Sequence, residues 1–491
     1  MGENELLEKT IPELFILLRN RDILCSDLVR AVYQNIKLKE EKIGVYLTLR
    51  INEALEEAKK IDKEKIKIHS YLFGIPISIK DTFTTEGIKT TAGSKILTDF
   101  IPPYNATVVR RLKENKAIIV GKTNMDEFAH GFTTEYSAFK ITHNPWDTTK
   151  VPGGSSGGSA ASVACREAFL SLASENYGSI IQPSSLCGVV GMKPTYGRAS
   201  RYGIIAMASS LECPGIIGRC VEDVAIGIGV IAGWDPKDAT TVDYPLENYF
   251  KNLGKSVDGK KIAIIKPIID QIDPQIATML EKSLHVFKSL GVKIKYIDWY
   301  DLDLDAKIYD VLYRAEVASN LARYDGIRYG YRNLVRHNSL DDYYLSARDK
   351  FGKHVKRQII TDTITLTKRE NDVYRMALKL RRKNRNFIDS LFKIFDAIIT
   401  PATTFIDLKI GKVEDKKWRE QNRKYGRINA AMMCPTVLYG YLAISFPIGI
   451  SDSKMPVGTN LFSFRFGEQT LLNLAYAFQE ESGFKCLRPK I

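Results

Sequence analysis

Between Gly153 and Gly197 the chain carries eight glycines and nine serines in 45 residues, against 34 glycines in all 491. The excess sits mainly in two loops, Pro152-Gly153-Gly154-Ser155-Ser156-Gly157-Gly158-Ser159 and Gly178-Ser179-Ile180-Ile181-Gln182-Pro183. They flank a small-residue stretch, Ala160 to Ser171, that reads as a helix. Glycine reaches backbone conformations closed to other residues and lets chain segments approach closely, so such loops wrap a ligand or aim backbone N–H groups at it. Three readings compete. A phosphate loop at a helix N-terminus is one, but the Walker lysine is missing and no Gly-x-Gly-x-x-Gly follows a strand. A turn without function is the ordinary reading of one isolated Gly/Ser stretch, and it fits two loops around one helix poorly. The third is a serine nucleophile in a cradle of amides, served by a base other than histidine.

Around this segment short strands alternate with helices. Residues 1–70 read as helical: Thr10-Ile11-Pro12-Glu13 is a capping-box pattern, and Ser26-Asp27 opens a second apolar-periodic run to about Ile36. Ile75, Ile77 and Ile79 then alternate with Pro76, Ser78 and Lys80, a strand signature that puts Lys80 near the strand's end, on the face away from the isoleucines. Asn105 is placed to cap a helix through Lys113, and Ala117 to Val120 reads as a buried strand. Lys261 to Ile265, Val292 to Ile297 and Ala397 to Thr400 read as strands, and Ile276 to Leu290 as a helix stopped by Gly291. This order predicts an α/β fold, a large mixed, mostly parallel twisted sheet covered by helices on both faces. Residues 1–70 are expected as a helical segment packed on the core. Residues 71–491 form one domain, with a helix-rich cap or insertion at about 300–395.

Composition excludes several classes. The longest apolar stretch, Val224 to Trp234, contains three glycines and is far shorter than the ~20 residues that cross a bilayer. The acidic N-terminus lacks an apolar or Arg/Ser-rich leader, so a cytoplasmic protein without membrane attachment is expected. Seven cysteines and six histidines show no Cys-x-x-Cys, no zinc-spaced cluster and no His-Glu-x-x-His, so neither disulfides, a structural metal nor imidazole catalysis is expected. A net charge of +14 favours acidic partners. The basic residues are nonetheless dispersed, and the densest cluster, Lys379 to Arg385, reads as a solvated helix face.

Three segments carry a resemblance. Gly74-Ile75-Pro76-Ile77-Ser78-Ile79-Lys80-Asp81, the run Gly153 to Ser159, and Gly178 to Pro183 resemble the signatures of the amidase signature family, with 75 residues from Lys80 to Ser155 and 24 from Ser155 to Ser179. Gly121 to Ala129, Asn144-Pro145-Trp146-Asp147 and Cys187 to Arg198 are similar, more narrowly, to the A subunits of glutamyl-/aspartyl-tRNA amidotransferases. The similarity is dense from about 70 to 235 and thinner elsewhere. It implies the amidase signature fold and a Ser-cisSer-Lys triad: Ser179 as nucleophile, Ser155 as proton relay after a cis peptide, Lys80 as base. The implied oxyanion donors are the backbone amides of Asn176, Tyr177, Gly178 and Ser179, and the implied pocket candidates are Met125, Gly131, Arg357, Gln358 and Ala430. The resemblance also implies a glutaminase that supplies ammonia to B- and C-type partner subunits. Those partners would hold ATP and Mg²⁺ and most of the contact with misacylated tRNA, while this chain would need no cofactor or metal.

Lysine is a base only when neutral. Bringing it from ~10.4 to between 7 and 8 takes about 3 to 5 kcal/mol, which burial must supply. Asp81 would oppose that shift if it faced the amine, but neighbouring strand residues point to opposite faces.

Four positions depart from the family pattern. Tyr177 stands for a loop glycine and Ile181 for an arginine. Gln358 stands where an arginine would hold glutamine's α-carboxylate, and Ala430 where an aspartate would hold its α-amino group. A zwitterion in a dry pocket needs charged or well-aimed partners. A divergent glutaminase subunit, an amidase of another small amide, and a scaffold subunit with decayed activity all remain open.

Overall fold

The computed structural model describes residues 2–64, 68–335, 337–368 and 370–491. Its strands are β1 (Tyr46–Leu49), β2 (Pro76–Lys80), β3 (Ile118–Thr123), β4 (Leu170–Glu175), β5 (Val190–Lys193), β6 (Cys213–Gly218), β7 (Lys261–Ile265), β8 (Lys293–Ile297), β9 (Ala397–Pro401), β10 (Leu442–Ile450) and β11 (Pro456–Ser463). They form one 11-stranded sheet in the order β1-β3-β2-β4-β6-β5-β10-β11-β9-β7-β8. The α/β class and the large mixed sheet are as predicted, but "mostly parallel" needs correcting: six pairings are antiparallel and four parallel. The connections explain the split. The segments joining β2 to β3 and β7 to β8 contain the helices Thr107–Glu114 and Pro274–Ser289, and these strands run parallel, whereas β10 and β11 are joined by a short turn and run antiparallel.

Local chemistry sets the helix ends. The Thr10 amide donates to Glu13 at 2.6 Å and starts Ile11–Asn20. Asn105, expected as a cap, instead accepts from the Glu86 amide, and the helix Thr107–Glu114 starts after Ala106. The helix expected over 160–171 is Gly157–Ala164; the chain then turns, with Arg166 at φ 64, and enters β4. Residues 1–70 also contain a strand, β1, which pairs with β3 at the sheet edge.

Central strands bury both faces. Ile262 and Ile264 join one core, with the N-terminal helices, while Ala263 and Ile265 join a second, with Leu312, Phe351 and Val355 from the helix-rich region after β8. That region, which includes helices Leu304–Leu321 and Lys353–Lys368, is tied to the short helix Glu127–Ala129 after β3 by the Gly352 amide, which donates to the Glu127 carboxylate at 2.9 and 3.0 Å. Among the described residues no helix is long and apolar enough to cross a membrane.

Candidate active site

β2 runs parallel to β4, so Lys80 and the Ser174-Glu175 pair emerge together at the strands' C-terminal ends, the edge where open α/β sheets place ligands. Ile77 and Ile79 point into the first core. On the opposite face Ser78 meets Ser162 of the helix Gly157–Ala164 at 2.9 Å, and Lys80 reaches under the Gly/Ser loop. Lys80 Nζ lies 2.8 Å from Ser155 Oγ, 2.8 Å from Ser156 Oγ and 3.0 Å from Ser174 Oγ. Ser155 Oγ is 3.0 Å from Ser179 Oγ, and the Ser155 amide donates to that oxygen at 3.1 Å. The Gly154–Ser155 peptide is cis. Lys80 and Ser155 are fully buried, and Ser179 is 4% exposed.

Burial pulls the Lys80 amine from 10.5 down to about 7, against the opposing pull of Glu175, Asp126 and Glu212. Asp81 faces elsewhere: it accepts from the Thr91 amide at 2.8 Å and lies 3.5 Å from Lys122, both partners fully buried. Asp126 accepts from the Thr134 and Tyr136 amides at 3.0 and 3.1 Å, and the Thr134 hydroxyl in turn donates at 2.8 Å to the Gly153 carbonyl of the loop that holds the cis bond. A β-carbon at 131 would lie 2.4 Å from the Asp126 carboxyl carbon, and one at 154 would lie 2.4 Å from its Oδ2, so both positions need glycine.

In the loop expected to supply the oxyanion donors, one of the four amides already has a partner. The Ser179 amide is already engaged, donating to Glu175 Oε1 at 2.8 Å, while Ile180 and Ile181 donate to Oε2 at 2.6 and 3.3 Å. One carboxylate thus fastens the start of the helix Ile181–Cys187. Among the described residues the amides of Asn176, Tyr177 and Gly178 make no such bond. Tyr177 is outside the positive-φ set, whereas Gly178 has φ 83, so the tyrosine adds no left-handed strain. Its ring packs 4.8 Å from Tyr309, whose hydroxyl donates to the Asn176 side chain at 2.7 Å. Ile181 is buried in the second core.

In front of Ser179 lies a cavity of about 810 Å³, lined in part by Gly131, Tyr177, Tyr309, Arg314, Arg357 and Gln358. Met125 and Ala430 are not in this lining; both are buried in the second core, Ala430 beside Met433 and Cys434. The sequence did not single out Ser156, Ser174, Asp126, Glu175, Tyr309 or Arg314. Ser156 lies inside the quoted Gly/Ser loop and Asp126 inside the Gly121–Ala129 motif, the signals by which these two could have been found.

The Amidase family model matches residues 27–472. The chain belongs to the amidase signature family. Among relatives, this amidase is 41% identical over 488 residues, 99% of each chain, to the A subunit of the glutamyl-tRNA(Gln) amidotransferase of Clostridium botulinum strain Okra. It is 42% identical over 485 residues, 98% of each chain, to the A subunit of the Thermoanaerobacter pseudethanolicus enzyme of that name. The crystal structure of the A subunit from Thermotoga maritima superposes with a TM-score of 0.80 at 33% identity, covering 97% of this amidase and 95% of that chain. A 6-aminohexanoate cyclic dimer hydrolase shares the fold with a TM-score of 0.84 at 22% identity, covering 99% of each chain.

Proposed function

We propose that this chain is the glutaminase subunit of an ATP-dependent glutamyl-/aspartyl-tRNA amidotransferase. The unbroken run of contacts from fully buried Lys80 and Ser155 to Ser179 at the cavity wall is the observation that carries the reading. Hydroxyl protons rotate, so the same contacts move a proton from Ser179 to Ser155 and on to a neutral Lys80. Ser179 Oγ then attacks the amide carbon, and charge grows on the carbonyl oxygen. In this reading the amides of Asn176, Tyr177 and Gly178 receive that charge, and Glu175 positions the loop through the Ser179 amide. As the tetrahedral intermediate collapses, the proton on Lys80 returns through Ser155 to the departing nitrogen. Ammonia leaves, and water releases the acyl group from Ser179. In this reading the chain works in the cytoplasm with B- and C-type subunits, which bind ATP, Mg²⁺ and most of the tRNA; full-length similarity to the A subunits supports it.

Gln358 and Ala430 favour a second reading, an amidase of another small amide, because neither offers a charge to glutamine. Trapping the acyl-enzyme on glutamine tests both. Wild type is expected to gain the glutamyl mass on Ser179 and Ser179→Ala to gain none; equal ammonia release from the two proteins would refute the catalytic assignment.

A further inference from the structure

We propose that the cavity in front of Ser179 selects amides bearing a free carboxylate, that Arg314 reads that carboxylate, and that the cavity is indifferent to an α-amino group. This deepens the glutaminase reading and rests on it. Among the described residues the permanent cations lining the cavity are Arg314, Lys353, Arg357 and Arg419, and the lining carboxylate is Glu414. Burial lowers both lining histidines, His130 to about 3, so they add no charge at neutral pH.

Lys353, Arg357 and Arg419 are exposed side chains; Arg314 is half-buried and braced. Its Nε is 2.8 Å from Asp310 and its Nη1 2.7 Å from Asp362, which leaves the Nη2 edge of the guanidinium for a third carboxylate. With these two aspartates and Glu414 counted, three carboxylates stand against the four lining cations. Arg314 also follows Tyr313 on the helix Leu304–Leu321, which reaches the oxyanion loop one turn earlier through Tyr309 and Asn176. The cation missing at position 358 is therefore replaced from a neighbouring helix. Gln358 serves Arg314 indirectly, donating to Asp362 at 2.7 Å.

Among the described residues that line the cavity, the one carboxylate able to meet the ammonium is Glu414. Ala430 is buried away from the cavity, and Glu414 is exposed and already accepts from the Tyr136 hydroxyl at 2.7 Å. The substrate class is thus ω-amides of dicarboxylic acids, with or without an α-amino group.

The test compares kcat/KM for glutamine, glutaramate (no amino group) and glutaminamide (no free carboxylate), using the chain assembled with its partner subunits. Glutaramate is expected within about fivefold of glutamine, the most an exposed charge contributes. Glutaminamide is expected about 10- to 100-fold lower, the value of a charge-assisted contact. Arg314→Gln should close that gap through KM, and Arg314→Lys should keep part of it. The proposal is overturned if wild type treats glutamine and glutaminamide alike, if glutaramate falls by more than the fivefold allowance, or if the gap survives Arg314→Gln. The wild-type comparison stands even if a variant fails to fold. Absence of any amide turnover and of any acyl-enzyme would instead refute the amidase reading itself.

Discussion

Lys80 turns the site's burial into a measurable pH dependence. With the amine brought to about 7, its neutral fraction rises from roughly a tenth at pH 6 to roughly nine-tenths at pH 8. The rate of acyl-enzyme formation should therefore climb about tenfold across that interval and then level off. A lysine left near 10.5 would be neutral in only about one molecule in a thousand at pH 7.5, and the climb would continue past pH 9. Single-turnover mixing of enzyme and glutamine, quenched into mass spectrometry, reads this step directly. Because Glu212 is among the carboxylates that hold the amine up, Glu212→Gln should move the midpoint to lower pH.

Stability carries the same signature. Lowering the folded-state value from 10.5 to about 7 corresponds to roughly 5 kcal/mol for this fully buried group. Between those two values the unfolded chain binds more protons than the folded one, so wild-type stability rises with pH, and below about 7 the full cost remains. Lys80→Met escapes that cost. Its melting advantage over wild type should be largest at or below pH 7 and should shrink toward pH 10.5, while turnover is lost. A rate flat between pH 6 and 8, a midpoint above 9, or a melting gap that does not change with pH would refute the argument.

Two further substitutions test the surroundings. Lys122→Met removes the cation beside fully buried Asp81 and is expected to cost about 3 to 5 kcal/mol in urea unfolding; a loss below 1 kcal/mol would mean that Asp81 is neutral in the fold. Gly178→Ala must hold φ 83 and place a β-carbon 3.2 Å from Met433, so kcat should fall about 10²-fold with KM nearly unchanged; an unaltered kcat would remove this loop from the oxyanion site.

What could be read from the sequence followed from local rules. The alternation at 75–80, the strand at 261–265 and the Gly291 stop each depend on neighbouring residues, and the structure has β2, β7 and a helix ending at Ser289 with Gly291 at φ 78. The two Gly/Ser loops were visible because glycine is needed where backbone crowds backbone. Other features depend on distant partners. Strand β1 is four residues long among helices and exists because β3 presents an edge to it. The antiparallel centre of the sheet follows from chain connections that no window of sequence contains. Asp126, Glu175 and Arg314 look like ordinary charged residues until the fold brings them beside the cis loop, the nucleophile's amide and the cavity wall. Conversely, Met125 and Ala430, inferred from the motif pattern, face the second core.

The Glu127–Gly352 tie joins two parts of the molecule with separate tasks. In the proposed assignment the bond-breaking groups lie at chain positions 80–179, whereas Arg314 and Gln358 stand on helices that begin after residue 300. On that assignment, substitutions in the later helices change what the enzyme consumes while the proton path, built from other elements, keeps its geometry.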